Sequence, residues 1–179
     1  MLKKFNEKNS REKNVYKQKV VAFIPVRGGS KSIPQKNIKL LCGKPLVYWT
    51  IKAAVESKLI DLVYVATEDE RIRKTVQAFG FQKVKVIDRS IETTTDYATT
   101  ESSMLEFANK YDFEYIVLIQ ATSPLLTTKD LEQGIMKILS TNVDSVISVV
   151  RQKRFIWKED GLFIKPENYL PEKRPRRQE

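Results

Sequence analysis

The chain has 179 residues, 41% of them hydrophobic and 30% charged, which is enough for one domain with a hydrophobic core. It contains no histidine, and this excludes histidine general bases, Ser-His-Asp triads and histidine-ligated zinc sites. The only cysteine, Cys42, excludes an intrachain disulfide and fits a reducing cytoplasm, and no apolar stretch approaches the roughly 20 residues that span a bilayer.

The net charge of +10 is distributed unevenly along the chain. Residues 1–19 carry seven lysines and arginines against two glutamates and lack the apolar segment of a secretory signal, so we predict a basic, disordered tail. Residues 171–179 add a net +2, which leaves only +3 for the body of the chain. This distribution argues against an extended nucleic-acid-binding face.

The first predicted element is an apolar strand from Val20 to Val26, which is followed at once by Arg27. An apolar run of this kind is typical of a parallel strand that is buried on both faces. In the following sequence, GGSKSIPQKN, the two glycines, Gly28 and Gly29, let the backbone take positive φ values and come close to a ligand with its N–H groups exposed. The strand therefore leads into a loop suited to phosphate.

Three cations near this loop, Arg27, Lys31 and Lys36, could neutralise a triphosphate. The alternative is a solvated basic turn between two elements. The loop contains neither the G-x-x-x-x-G-K-[ST] pattern of P-loop proteins nor the G-x-G-x-x-G pattern of dinucleotide-binding proteins. Both of these nucleotide-binding classes are therefore disfavoured.

Strands and helices alternate along the rest of the chain, which predicts an α/β fold with a parallel sheet covered on both sides. Thr67 and Glu70 form a capping-box pattern at the start of the second helix. The predicted helices are Leu46 to Lys58, a segment ending at Phe79, Thr99 to Lys110, and a segment from Thr127 or Thr128 to Ser140. The further strands are Leu62 to Ala66, Val84 to Ile87, Tyr115 to Ile119 and Ser145 to Val150, and a hairpin extends from Phe155 to Ile164.

Polar side chains directly follow four of these strands: Arg27, Thr67, Arg89 and Gln120. In open α/β sheets, ligands bind beyond the carboxyl ends of the strands. We therefore expect these residues, which are far apart in sequence, to line one edge of the sheet.

The loop sequence Val26-Arg27-Gly28-Gly29-Ser30-Lys31, followed by Lys36-Asn37, is similar to the signature A-R-x-x-S-K-x-x-x-x-K-N, with Val in place of the usual Ala. Three later segments continue the similarity: IQATSP from Ile119, SVVRQKRFIW from Ser148 and KRPRRQ from Lys173. With these motifs the chain resembles the CMP-sialic acid synthetases (acylneuraminate cytidylyltransferases) from about Val20 to Gln178.

The resemblance implies a Rossmann-like, mostly parallel sheet of the nucleotidyltransferase type, flanked by helices. It implies the conversion of CTP and N-acylneuraminate (sialic acid) to CMP-sialic acid and pyrophosphate by a cytoplasmic, Mg²⁺-dependent homodimer that binds neither nucleic acid nor membrane. Alternatives are activation of another keto sugar acid (legionaminate, pseudaminate or 3-deoxy-octulosonate) and a non-catalytic CTP-binding module.

The resemblance also implies a role for each matching residue. Arg27 and Lys36 would be catalytic. CTP would be bound by Arg27, Ser30, Lys31, Asn37, Arg89, Asp96 and Thr100, and the sugar by Gln120, Arg177 and Gln178. Alternatives stay open: Lys31 as a solvated cation, Asn37 as a loop-capping side chain, the segment after Arg89 as a plain surface loop, and KRPRRQ as a nuclear import signal, a polyanion patch or a frayed terminus.

One feature of the family is missing. In the family the chain continues for about 50 more residues, on the scale of part of one α/β domain, and includes a D-x-D pair that holds Mg²⁺. No D-x-D follows KRPRRQ in this sequence, so we expect no metal ligands in the chain. We expect residues 20–179 to form a cytidylyltransferase domain that lacks its last portion.

Overall fold

The computed structural model describes residues 2–4, 19–30, 32–95, 97–151 and 154–173. The chain divides into two compact units, Met1–Ile147 and Ser148–Glu179. The first unit contains a six-stranded sheet with helices on both faces, and the second contains a β-hairpin.

Within the described residues, four helices alternate with strands as the sequence predicts. The helices are α1 (Leu46–Glu56), α2 (Glu70–Gln77), α3 (Thr100–Lys110) and α4 (Thr128–Leu139). The strands are β1 (Leu2–Lys4), β2 (Val20–Pro25), β3 (Leu40–Leu41), β4 (Lys44–Pro45), β5 (Leu62–Ala66), β6 (Val84–Ile87), β7 (Tyr115–Leu118), β8 (Ser145–Val146), β9 (Trp157–Asp160) and β10 (Phe163–Pro166). None of the helices in these parts of the chain is long and apolar enough to cross a membrane.

The six strands of the main sheet lie in the order β6-β5-β2-β7-β1-β8. β2 is central and pairs in parallel with both neighbours, with Ile24 opposite Val65 of β5 and Ala22 opposite Val117 of β7. β6 pairs in parallel with β5. The prediction of a mostly parallel sheet is therefore confirmed, and the carboxyl ends of β2, β5, β6 and β7 meet at one edge.

The far side of the sheet differs from the prediction. Leu2–Lys4, which we expected in a disordered tail, forms β1 and pairs antiparallel with β7 on one side and β8 on the other. The predicted strand from Ser145 to Val150 is limited to Ser145–Val146, where β1 supplies its partner. Of the rest of the predicted tail, residue 1 and residues 5–18 lie outside the described residues.

The alternation of side chains along β2 explains its uninterrupted apolar sequence. Ala22 and Ile24 pack in the core formed with α1, α2 and α4, whereas Val21 and Phe23 pack on the opposite face with α3. Both faces of the strand are buried, so every position excludes apolar surface from water.

Two helix starts are set by side-chain caps. At α4, the Thr127 hydroxyl accepts from the Asp130 amide at 3.2 Å and the Asp130 carboxylate accepts from the Thr127 amide at 3.0 Å, so the predicted cap is confirmed. At α2, the predicted cap is wrong. Asp69 caps that helix by accepting from the amide of Arg71, while the Thr67 hydroxyl accepts from the Asp69 amide in the preceding turn.

The second unit is described by itself. Its hairpin pairs β9 with β10 in antiparallel register, and Asn168 braces it by accepting from the Ile156 amide at 2.9 Å and donating to the Arg154 carbonyl at 2.8 Å. Phe155 and Trp157 pack against the ring of Tyr169. The hairpin predicted between Phe155 and Ile164 is therefore confirmed, with its turn at Gly161 and a second strand that extends to Pro166.

Candidate functional site

A cleft of about 340 Å³ opens at the carboxyl ends of the parallel strands. The loop after β2 contributes Arg27, the loop after β6 contributes Arg89, and the loop after β7 contributes Gln120. This is the edge where strand-end residues were expected to meet. Thr67, the fourth residue expected there, is buried and does not line the cleft.

Seven of the residues singled out from the sequence line this cleft. They are Arg27, Ser30, Lys36, Asn37, Arg89, Thr100 and Gln120. Four others, Lys31, Asp96, Arg177 and Gln178, lie outside the described residues. The structure therefore brings the seven together, and the role of each in binding or catalysis stays a prediction.

Backbone and amide contacts fix the loop that carries Arg27. The Val26 amide donates to the Ala66 carbonyl at 2.8 Å, which continues the β2–β5 pairing beyond the end of the strand. The buried Asn37 donates from Nδ2 to the Arg27 carbonyl at 3.0 Å. Asn37 therefore holds the loop closed, as the loop-capping alternative predicted, and it also faces the cleft.

The reason for a glycine at position 28 differs from the one expected. The φ angles of Gly28 and Gly29 both lie outside the left-handed region, so the positive φ values that glycine permits are not adopted here. A Cβ on Gly28 would lie 2.3 Å from Oδ2 of Asp69, so this position requires glycine because the two loops approach closely. The Gly28 amide donates to Glu68 Oε1 at 2.8 Å, so a carboxylate already occupies this N–H.

The Asp69 carboxylate, which lies next to Gly28, is held in its charged form. A side-chain hydrogen bond from Arg71 lowers the pKa of Asp69, and backbone amides of Arg71 and Ile72 lower it further against the effect of burial. Asp69 thus caps α2 and packs against the Arg27 loop at the same time.

Arg89 is a half-buried cation of the cleft. Its Nη2 donates to the Thr93 carbonyl and to Ser103 Oγ, the latter at 2.7 Å. Burial lowers the pKa of the Arg89 guanidinium and the nearby Arg27 guanidinium lowers it further, while the carboxylates of Glu68 and Glu106 oppose this. Arg27 and Arg89 line the same cleft, where both could contact one anion.

Glu106 lies behind this wall of the cleft. Burial by itself raises the pKa of its carboxyl group, but hydrogen bonds from Lys110, Ser90 and Thr93 outweigh that effect and lower the pKa to about 2. The Glu106 carboxylate is therefore charged under ordinary conditions and ties the segment after β6 to α3.

Comparisons with known proteins decide which of the predicted classes applies. Residues 21–162 match the family model described as Cytidylyltransferase. The chain belongs to the cytidylyltransferase family. The resemblance drawn from the Val20–Asn37 loop and the later motifs is therefore confirmed.

Relatives within the cytidylyltransferase family show which members this chain is similar to. The chain is 42% identical over 165 residues to "N-acylneuraminate cytidylyltransferase A" of Danio rerio, covering 89% of this chain and 38% of that protein. It is 35% identical over 148 residues to "N-acylneuraminate cytidylyltransferase" of Streptococcus agalactiae, covering 81% of this chain and 34% of that protein. This cytidylyltransferase chain thus spans little more than a third of the length of these relatives.

A solved structure of CMP:2-keto-3-deoxy-manno-octonic acid synthetase in complex with CTP has the same fold. Its TM-score is 0.61 at 27% identity, covering 69% of this chain and 48% of that one. The nucleotidyltransferase type of the fold, which the resemblance implied, is therefore confirmed.

The charges in the cytidylyltransferase cleft are one-sided. Its described lining contains three cations, Arg27, Lys36 and Arg89, and no aspartate or glutamate. Across the described parts of the chain, no three histidine, cysteine, aspartate or glutamate side chains are grouped to hold a metal ion. Mg²⁺ prefers carboxylate oxygens among protein ligands, so the described residues do not fit a protein-held Mg²⁺.

The structure also places residues at the cleft that the sequence pattern did not indicate. Ser32, Thr95 and Thr122 line it, although the sequence analysis assigned no role to any of them. Thr122 belongs to the IQATSP motif, which was a signal for its position. Ser103 contacts Arg89 from α3, and the sequence did contain a pattern that could have identified this residue. Ser103 lies four residues before Phe107 and so occupies the buried face of that helix, where a polar side chain needs a partner.

Proposed function

We propose that this chain binds CTP in the cleft and forms the nucleotide-binding part of an enzyme that joins CTP to N-acylneuraminate, releasing pyrophosphate. One observation carries the proposal: a cytidylyltransferase cleft with three cations and no carboxylate in its described lining. A triphosphate carries several negative charges, and a site of this kind favours it over neutral ligands.

In the proposed reaction the anomeric hydroxyl oxygen of the sugar attacks the α-phosphorus of CTP. A phosphorus–oxygen bond forms, the bond to the β-phosphate oxygen breaks, and pyrophosphate leaves with the electron pair of that bond. The hydroxyl proton passes to solvent. Such a reaction needs mainly positioning and charge neutralisation from the protein, so the absence of histidine is no obstacle.

Arg27 and Lys36 would neutralise charge on the phosphates, with Arg27 using its planar fork for two oxygens. Ser30 and Lys31 would hold the same phosphates. Asn37 would contact the base or ribose, and Arg89, Asp96 and Thr100 would contact the nucleotide. Gln120 would donate to and accept from sugar hydroxyls. Arg177 and Gln178 would approach the sugar carboxylate.

Mg²⁺, the homodimer and the cytoplasmic location are part of the same proposal. Because the described cleft does not fit a protein-held Mg²⁺, we propose that the ion enters with CTP, coordinated by phosphate oxygens and water. The exposed thiol of Cys42 supports a reducing compartment.

Two alternatives have their own support. The solved synthetase of 2-keto-3-deoxy-manno-octonic acid, similar in fold and at 27% identity, favours another keto sugar acid as acceptor. The absence of a grouped carboxylate set within the described residues favours a module that binds CTP without turnover.

The deciding experiment measures pyrophosphate release by the purified chain with CTP, Mg²⁺ and N-acetylneuraminate, alongside CTP binding by calorimetry. Release that depends on this sugar supports the main proposal, and release with 3-deoxy-octulosonate or pseudaminate instead identifies the other acceptor. CTP binding without release from any acid supports the binding module. A folded chain that binds no CTP contradicts the proposal.

A further inference from the structure

The guanidinium of Arg89 is held from within the protein rather than left to solvent. Its Nη2 donates to Ser103 Oγ at 2.7 Å and to the Thr93 carbonyl, and its Nε donates to Thr93 Oγ1 at 3.3 Å. Hydrogen bonds at two nitrogens fix both the position and the plane of the group. An arginine with this support loses less side-chain entropy when an anion binds.

Ser103 stands among apolar side chains. It is 2% exposed and lies on the same face of α3 as Met104 and Phe107, which pack against β2 and β5. A hydroxyl in such surroundings costs free energy unless it is hydrogen-bonded, whereas alanine would fit the same space without that cost. The hydroxyl at position 103 is therefore accounted for by its contact with Arg89.

Glu106 supports Arg89 indirectly, through residues that contact it. Its Oε2 lies 3.1 Å from the Thr93 hydroxyl and accepts from the Ser90 hydroxyl at 3.0 Å. Lys110 donates to Oε1 at 2.7 Å and fixes the carboxylate on α3. The segment that carries Thr93 is thus tied to the helix next to the point where Thr93 holds Arg89.

We propose that Ser103 and Glu106 are positioning residues that hold the Arg89 guanidinium at the wall of the cleft for contact with the nucleotide. Ser103 acts directly, and Glu106 acts through Ser90 and Thr93. The proposal rests on the proposed CTP-binding function and extends the site by one layer, from the cleft to the buried face of α3.

The test compares CTP dissociation constants of the full chain and its Ser103→Ala, Arg89→Ala and doubly substituted variants. We expect Arg89→Ala to weaken binding at least about tenfold and Ser103→Ala about three- to tenfold, since charge-assisted contacts are lost or misaligned. The double variant should bind no more weakly than Arg89→Ala, because Ser103 acts only through that arginine. Additive losses, or wild-type affinity in Ser103→Ala, overturn the proposal.

A matched control separates positioning from stability. Ser57 is also buried, and its hydroxyl donates to Glu132 Oε1 at 3.2 Å, but Glu132, unlike Arg89, does not line the cleft. Ser57→Ala should lower thermal stability to a similar degree as Ser103→Ala and leave CTP affinity unchanged. Equal loss of CTP affinity in the two variants would assign the effect to general destabilisation and overturn the proposal.

A measurement without ligand separates this proposal from the proposed function. In ¹⁵N-edited NMR spectra of the wild type, we expect the Arg89 Nε–Hε resonance to be shifted and protected from exchange. Ser103→Ala, and to a smaller extent Glu106→Gln, should move it toward the values of solvated arginines. An unchanged resonance overturns the positioning role whether or not CTP binds, whereas a wild-type chain that binds no CTP overturns the proposed function.

Discussion

The amide of Gly28 and the carboxylate of Glu68 join the two loops that follow β2 and β5, through a hydrogen bond of 2.8 Å. Next to this contact, the missing side chain of Gly28 makes room for the carboxylate of Asp69. The position of Arg27 thus depends on the loop that starts α2, forty residues further along the chain.

This close approach predicts the effect of Gly28→Ala. The new Cβ would lie 2.3 Å from Asp69 Oδ2 and 2.7 Å from Asp69 Cβ, so the Arg27 loop must move. We expect a loss of about 1–3 kcal/mol in the free energy of unfolding, typical of an overpacked site, and weaker CTP binding. Gly29→Ala is the control, because a Cβ there meets nothing within 4 Å. Equal effects of the two substitutions would contradict this account.

Arg27→Ala tests the phosphate contact. We expect CTP binding to weaken by at least about 1.5 kcal/mol, a little more than tenfold in Kd, because a charge-assisted hydrogen bond is lost. Calorimetry measures the change. Lys137→Ala removes the same charge from an exposed position near the end of α4 and should have little effect. If the Arg27 variant binds CTP as tightly as the wild type, the assignment of that loop to the phosphate site is wrong.

Glu106 predicts a dependence of stability on pH. Its pKa is lowered to about 2 from an ordinary value of 4.5, so its carboxylate stabilises the folded chain fully above about pH 4.5 and loses that contribution as pH falls toward about 2. Near neutral pH, we expect the free energy of unfolding of the wild type to exceed that of Glu106→Gln by about 1–2 kcal/mol. This is less than the full pKa shift implies, because solvent around Lys110 weakens its ion pair with Glu106. Urea denaturation of both proteins from neutral to acid pH measures the difference. A difference that stays constant through this range would show that the charge on Glu106 contributes nothing.

Deletion of residues 1–18 should affect the stability of the sheet but not the binding of CTP in the cleft. It removes β1 and its pairing with β7 and β8, and we expect a loss of about 2 kcal/mol in stability from the missing backbone hydrogen bonds. None of the described residues that line the cleft belongs to the deleted segment, so CTP affinity should stay within about twofold of wild type. Calorimetry and thermal unfolding check the two effects independently, and a large loss of affinity would link the N-terminal segment to the site.

β2, β5 and β7 were predictable because each is an apolar run that is largely buried on both faces. β6 is an edge strand that contains the exposed Lys85, and its signal was the alternation of elements along the chain. β5 and β6 begin and end at the predicted residues, and the observed ends of β2 and β7 differ from the prediction by one residue. The same logic placed Arg27, Arg89 and Gln120 together, since strand ends in a parallel sheet share an edge.

Other features depended on contacts between distant segments and left weaker signals. In the sequence, Glu68 and Asp69 look like part of an ordinary acidic turn. Only the structure shows that both contact Gly28. β1 lies in a basic segment whose composition indicates disorder, and its pairing depends on partners more than a hundred residues away. Asp69 replaced Thr67 as helix cap because the Thr67 hydroxyl is buried in the preceding turn.

The one-sided charge of the cleft has a consequence for the order in which products would leave. In the proposed reaction, the cations that would neutralise the three phosphates of CTP face no carboxylate within the described lining that would weaken their hold on pyrophosphate after the bond breaks. The CMP-sugar would carry a single phosphate, and the same side chains would retain it less strongly. Pyrophosphate should therefore leave last and compete with incoming CTP, and its removal by hydrolysis would speed each new cycle.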